Sequence, residues 1–122
     1  MDVVKIAVAI QDIIAELGEH RKAIDEAANA KAIAIAEYDR DVAISLVRLK
    51  LGEGVEIDGK LVKDPPVGMI DKLAKGACWE ACLKKEVAEA KYKSTVTKME
   101  VLMAQLNGFQ SVFRHLDVGP HE

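Results

Sequence analysis

Apolar residues recur at alternating three- and four-residue steps through most of the first fifty positions, which is the spacing of one face of an α-helix. This stripe consists of Leu17, Ile24, Ala28, Ile35, Tyr38, Val42 and Leu49. Alanines, which have the highest helix propensity, surround it. The pattern predicts helix over residues 3–51. Gly18 leaves two alternatives open, because glycine weakens a helix interior: one unbroken helix, or a short apolar helix followed by a long one.

The period changes after this first helix. Gly52 suits the position just past a helix end. Two short runs of β-type residues then flank Asp58 and Gly59, the pair that best fits a type I′ turn. We therefore predict a β-hairpin over residues 55–62. Pro65 and Pro66 interrupt regular structure, and a short helix closed by Gly76 is expected over residues 67–75.

The helical period returns between residues 77 and 116, where no proline occurs. The second stripe consists of Tyr92, Val96, Met99, Met103, Leu106, Gln110, Phe113 and Leu116, and Leu83, Val87 and Ala90 begin another beside it. The expected fold is mainly all-α: one domain over residues 1–122, built as a long antiparallel helical hairpin with a small β-hairpin in the connection. Because both stripes exceed what one partner helix can cover, we expect two chains to pair into a dimeric, coiled-coil-like helical bundle.

Composition and charge narrow the function classes. The chain carries 17 basic and 20 acidic residues, for a net charge of -3, whereas nucleic-acid-binding domains usually have a pI above about 9. No apolar run reaches the ~18 residues of a membrane span. Asp2, Asp12 and Glu16 interrupt the apolar N-terminal stretch, which therefore does not resemble a signal peptide. With only two cysteines, the sequence predicts a protein of the reducing cytoplasm.

The strongest candidates for metal chemistry are Cys78 and Cys82, which stand four residues apart. Three histidines could complete a site: His20, His115 and His121. Structural zinc sites usually separate their cysteines by two residues within a turn, so two small packed residues are the favoured interpretation. The chain contains no Glu-x-x-His, G-x-S-x-G, Walker or H-E-x-x-H motif. We predict no catalytic residue, no metal ligand and no cofactor, and we expect a protein that is not an enzyme.

Two further sets of residues are candidates for binding. Lys84, Lys91 and Lys98 recur every seven residues, and such a band can follow phosphates. Interleaved glutamates favour a solvated helix face instead. The second set lies near the end of the last helix and consists of Asn107, Phe109, Gln110, Phe113, Arg114 and His115. Aromatic and arginine residues of this kind dominate interface energies; alternatively, Phe109 and Phe113 close the end of the bundle core.

The second half of the chain carries motifs of a recognisable kind. Residues 88–94 read AEAKYKS, and residues 107–111 read NGFQS. Over residues 35–116 the chain resembles small, uncharacterised helical-hairpin proteins encoded by phages and prophages, which share an "AEA-Y" helix, a middle containing glycine and proline, and a C-terminal "NGxQS" helix. The resemblance implies a hairpin architecture, often with coiled-coil character, a viral origin and the host cytoplasm as location. It supplies no catalytic residues.

Three functional hypotheses follow. The first is a non-enzymatic, phage-encoded interaction protein that binds a host or phage protein, with inhibition of a bacterial defence system as one such role. The second is a nucleic-acid-binding accessory factor of phage recombination or replication, because some of the similar proteins are encoded beside recombination genes. The third is a metal-binding regulator that uses Cys78 and Cys82.

Overall fold

The structure is a computed structural model that describes residues 2–118 and the side chains of residues 2–116. The elements are α1 (Val3–Lys50), β1 (Val55–Ile57), β2 (Lys60–Val62), a 3₁₀ turn (Val67–Met69), α2 (Ile70–Ala77) and α3 (Trp79–Val118). The predicted all-α fold, with a long antiparallel helical hairpin and a small β-hairpin in its connection, is confirmed. The chain packs as two compact units: unit 1 is Met1–Ala28 with Lys91–Glu122, and unit 2 is Asn29–Ala90.

Both ends of α1 are capped by the residues that flank it. The Asp2 carboxylate accepts a hydrogen bond from the Val4 amide at 2.9 Å, which satisfies one of the first free N–H groups of the helix. At the other end, Gly52 adopts a positive φ of 79°, and the Glu53 amide donates to the Arg48 carbonyl at 3.0 Å. Between these caps α1 passes through Gly18 without a break.

In unit 1, α1 and α3 meet along a seam of side chains spaced by alternating steps of three and four. On α1 the buried and half-buried positions along this seam are Ile6, Ile10, Ile13, Leu17, His20, Ile24 and Ala27, and the half-buried alanines Ala7, Ala9, Ala23 and Ala28 lie beside them. On α3 they are Tyr92, Thr95, Val96, Met99, Leu102, Leu106, Phe109, Phe113 and Leu116. The His20 ring donates from Nε2 to the Thr95 carbonyl at 2.7 Å. Because a carbonyl only accepts, this contact places the ring hydrogen on Nε2.

The seam of α3 keeps six of the eight predicted stripe residues, because the following are half-buried: Tyr92, Val96, Met99, Leu106, Phe113 and Leu116. Thr95, Leu102 and Phe109 face inward, whereas Met103 and Gln110 are exposed. Thr95 can be buried because its hydroxyl donates to the Lys91 carbonyl of its own helix at 2.7 Å. A buried hydroxyl that is satisfied in this way carries little of the usual desolvation cost. The predicted stripe of α1 does lie on the inner side, since all seven of its residues are buried or half-buried.

Unit 2 has a core that joins three elements. Leu49 of α1, Val55 of β1 and Ala74 of α2 are buried together. Half-buried apolar side chains pack around them: Val42, Leu46, Ile57, Ile70, Leu73 and Ala77. The amphipathic α2 and the strand β1 therefore pack against the last turns of α1. In unit 2 these two elements form a second layer over α1.

The β-hairpin that contributes β1 has the predicted turn. Asp58 and Gly59 both have positive φ, at 50° and 76°, as a type I′ turn requires. The strands pair with Val55 opposite Val62. Gly54, just before β1, has a φ of 81°, and a Cβ there would lie 2.6 Å from the Val62 carbonyl oxygen. Only glycine fits this position.

The segment after the hairpin differs from the prediction in its boundaries. The expected helix over residues 67–75 is a 3₁₀ turn followed by α2, and Gly76 lies inside α2 rather than closing it. The chain instead turns at Cys78, whose φ of -101° and ψ of 25° are not helical. Since α3 then begins at Trp79, Cys78 stands at a helix junction and not within a helix.

Candidate functional site

The predicted C-terminal patch is only partly brought together. Gln110, Phe113 and Arg114 line an open groove of about 580 Å³ with Ala7 and Ile10 of α1. Three other predicted residues lie elsewhere: Phe109 is half-buried in the seam, and Asn107 and His115 are exposed outside this groove. Phe113 fits both predicted alternatives, a partner-binding patch and the closed end of the bundle core. It is half-buried in the seam and also forms part of the groove wall.

The lysine band faces solvent. Lys84, Lys91 and Lys98 are all exposed, and in the described part of the chain none of the three forms an ion pair within 4 Å. Lys98 lines a groove of about 450 Å³ in unit 1 together with Glu16. The band is therefore a set of free surface charges that could meet an anionic group.

The two cysteines are packed side chains with free thiols. The Cys78 sulfur lies 3.4 Å from the Ser45 hydroxyl. Cys82 adjoins Tyr38, whose pKa is raised above its ordinary value by burial and by Cys82, against the opposing effect of Lys85. The Lys85 ammonium lies 4.4 Å from the centroid of the Tyr38 ring.

Metal ligands do not converge in the described structure. Among residues 2–118, no three histidine, cysteine, aspartate or glutamate side chains come close enough together to hold an ion. His121 lies outside the described residues. The predicted metal-binding alternative thus has two thiols and no third ligand within the described part of the chain.

An apolar surface in unit 2 was not predicted as a binding site. Trp79, Leu83 and Val87 stand on successive turns of α3, and these residues are 53%, 56% and 59% exposed. Residues four apart lie on one face of a helix, so the three form a continuous stripe. The sequence contained a signal for it, because Leu83 and Val87 began the second predicted stripe and Trp79 stands four residues before Leu83.

A groove of about 640 Å³ runs beside this stripe. Ile44 and Trp79 form its apolar wall, and Ser45 lies among its lining residues. The charged residues at the groove are Asp41, Arg48, Glu56, Asp58 and Glu80. We call Ile44, Trp79, Leu83 and Val87 the Trp79 surface. An apolar centre with a charged rim is the usual anatomy of a protein–protein interface.

Comparisons with known proteins give no match: no family model, no curated protein and no solved structure is similar to this chain. None of the described helices is long and apolar enough to cross a membrane.

Proposed function

We propose that this protein is a non-enzymatic interaction protein that binds another protein through the Trp79 surface of unit 2. The observation that carries the proposal is the exposure of Trp79, Leu83 and Val87 on successive turns beside a charged-rim groove. Tryptophan is among the residues that contribute most to binding at interfaces, particularly when apolar neighbours surround it and exclude water.

The physical argument concerns the cost of leaving this surface in water. Single exposed apolar residues are normal, but contiguous exposed patches are typical of interaction sites. Each of the three residues exposes more than half of its surface. Covering them with a partner would release about 25 cal/mol for each Å² of apolar area removed from water. The charged rim at Arg48 and Glu56 would give that contact orientation and specificity.

The biological setting of this binding rests on the resemblance to phage-encoded helical-hairpin proteins. In that setting the partner is a host or phage protein, and inhibition of a bacterial defence system would follow if the bound face belonged to a defence component. A helical protein of this kind acts by occupying a surface, so its effect requires no catalytic group of its own.

The test compares two variants that change α3 in the same way at two places. Leu83→Glu puts a charge in the Trp79 surface, whereas Val101→Glu puts one at a residue with nearly the same exposure, 52% against 56%. We expect affinity capture from the host lysate to recover the same partner with the wild type and Val101→Glu, and to lose it with Leu83→Glu. Recovery of identical proteins by all three would overturn the proposal.

Nucleic-acid binding is the second candidate, because Lys84, Lys91 and Lys98 are exposed and form no ion pair within the described structure. It predicts binding to labelled single- or double-stranded DNA at ~50 mM salt that weakens steeply as salt rises. The triple substitution of these lysines by glutamine would abolish that binding. If the protein binds DNA tightly, and if this binding depends on the three lysines but not on Leu83, nucleic-acid binding would replace protein binding as the proposed function.

A further inference from the structure

We infer that one side of unit 1 is an interface between two copies of this chain. The side in question follows the groove at Ala7, Gln11 and Gln110. On α1 it consists of Val4, Ala7, Gln11, Ile14 and Gly18, and on α3 of Val96, Met103 and Gln110. We call these residues the uncharged flank; the exposed Arg114, which lines the same groove, lies at its end. The flank is separate from the Trp79 surface, which lies in unit 2.

Two grooves define the two sides of the seam in unit 1. Ala7 and Gln110 each lie next to a seam position, and the groove between them opens on the uncharged flank. Glu16, Lys98 and Gln105 line a second groove. Glu16 precedes the seam residue Leu17, whereas Ala7 follows the seam residue Ile6, so helix geometry places Glu16 and Ala7 on opposite sides of α1.

Charge separates these two sides on α1. On α1 the side of Glu16 also carries Lys5, Asp12 and Glu19, whereas the five residues of the uncharged flank between positions 4 and 18 include no charge. On α3, residues 101–113 include no charged side chain on any face. On α3 charge therefore does not distinguish the two sides, and the assignment rests on α1. Solvent suits the Glu16 side, and a second apolar layer suits the uncharged flank.

Unit 1 supplies only one layer of that structure. Its described residues belong to α1 and α3, apart from Asp2 before α1. Stable domains bury the apolar face of one layer against a second layer. A second copy of the same two helices would provide it, and two helical hairpins that pack face to face form a four-helix bundle. The steps of three and four along the seam match the 3.5-residue period of such bundles.

The size of the face can be compared with that of a stable dimer interface. On α1 the uncharged flank spans residues 4–18, which at ~1.5 Å per residue is about 22 Å long. Two adjacent helices, each ~10 Å across, give this part a width of about 20 Å and an area of roughly 450 Å². A standard stable interface buries about 800 Å² per partner, so the remainder has to come from residues 19–28 of α1, which carry Arg21, Lys22 and Asp25 on the same side. The uncharged flank then forms the centre of the interface, and these charged residues form its rim.

Ile14 and Met103 mark the centre of this interface. His20 contacts Thr95, and Ala7 shares a groove with Gln110. The midpoints between these pairs fall next to Ile14 on α1 and Met103 on α3, so the two side chains stand at one level. They are 53% and 48% exposed. Central apolar side chains that lose all contact with water carry most of the energy of an interface.

The first test measures the mass of the full chain in solution by light scattering across a range of concentrations. The wild type should have twice the chain mass of 13.3 kDa, and Ile14→Glu and Met103→Glu should shift the protein to the monomer. Val101→Glu is the matched control, because Val101 is 52% exposed on another side of the same helix. It should remain a dimer. Circular dichroism would check that all variants keep their helices.

A second test locates the contact by cross-linking. In a chain whose native Cys78 and Cys82 are replaced by alanine, Met103→Cys should be joined between copies by a short bis-maleimide, and Val101→Cys should not. A monomeric wild type would overturn the inference. So would a dimer that Val101→Glu disrupts as readily as Met103→Glu, or one that cross-links at Val101→Cys and not at Met103→Cys. None of these results bears on partner binding at Trp79.

Discussion

In unit 2 the last turns of α1 lie against α2 and β1, and Leu49, Val55 and Ala74 are buried together where these elements meet. In unit 1 the described residues offer only α1 and α3, and Ile14 and Met103 remain about half exposed. The two units thus use the same kind of helical pair in different ways. Unit 2 completes its core with its own chain, whereas we propose that unit 1 completes its core with a second copy.

The comparison separates stability from binding. A core closed within one chain should have a stability that does not depend on protein concentration, whereas a core closed between copies gains stability by mass action as concentration rises. Substitutions in unit 2 should therefore change the free energy of unfolding by a fixed amount. Substitutions on the uncharged flank of unit 1 should act mainly through association.

Leu49→Ala should have the largest effect on the stability of unit 2. Leu49 is 4% exposed and packs against Val55 and Ala74, so truncation leaves a cavity where three elements meet. We expect a loss of about 3 kcal/mol, measured by urea unfolding and equal at low and high protein concentration. A loss that shrinks as the concentration rises would show that unit 2 also depends on a second copy.

Gly54→Ala should cost about 2 kcal/mol, because the new methyl group would meet the Val62 carbonyl at 2.6 Å in a backbone region that alanine disfavours. Gly59→Ala is the matched control. Gly59 also has a positive φ, of 76°, but a Cβ there has no heavy atom within 4 Å. Thermal melting should rank Gly54→Ala clearly below Gly59→Ala; equal melting temperatures would contradict the close approach at Gly54.

Much of this architecture could be predicted from the sequence, and the exceptions have physical reasons. The stripe of α1 and the turn at Asp58 and Gly59 follow from the local sequence. Neither depends on which helix packs against α1. The choice between neighbouring positions on α3 does not follow from the local sequence. Val96 is more apolar than the buried Thr95 and is itself half-buried, and Met103 is about as apolar as Leu102, so hydrophobicity alone did not indicate which position faces the seam. The hydrogen bond from Thr95 to the Lys91 carbonyl makes burial of the threonine acceptable.

The candidate sites were harder to predict than the fold. The prediction treated the six residues of the C-terminal patch as one surface, yet a helix distributes them around its axis. Gln110, Phe113 and Arg114 meet at one groove, and Arg114 and His115 meet at another. The Trp79 surface was missed for the opposite reason. Trp79, Leu83 and Val87 are spread over nine positions of the chain and share a face because they stand four residues apart, and Ile44 joins them from α1.

Asp2→Ala should have a smaller effect, on the N-terminal end of α1 in unit 1. The substitution removes the side-chain acceptor that the Val4 amide uses at 2.9 Å, and loss of such a cap costs about 1 kcal/mol. Faster amide exchange in the first turn of α1 would report it. Asp2→Asn keeps an acceptor and should restore most of the protection; equal exchange in both variants would argue against the cap.

The smallest expected effect concerns pH and Tyr38 in unit 2. Burial raises the pKa of Tyr38 in the folded state, so the unfolded chain ionises first as pH rises above the ordinary tyrosine value of about 10. Stability is fully present below that value and is lost as pH rises through the folded pKa. Tyr38→Phe should therefore lose less stability than the wild type between about pH 9 and pH 11 in urea unfolding. An equal loss in both proteins would contradict the raised pKa.

The most direct test of the difference between the units is amide hydrogen exchange of the wild-type protein at a low and a high concentration, read segment by segment. If unit 1 is completed by a second copy, residues 4–18 and 96–110 should become more protected as the concentration rises, while residues 49–77 in unit 2 keep the same protection. Protection that is independent of concentration in both units would contradict the account.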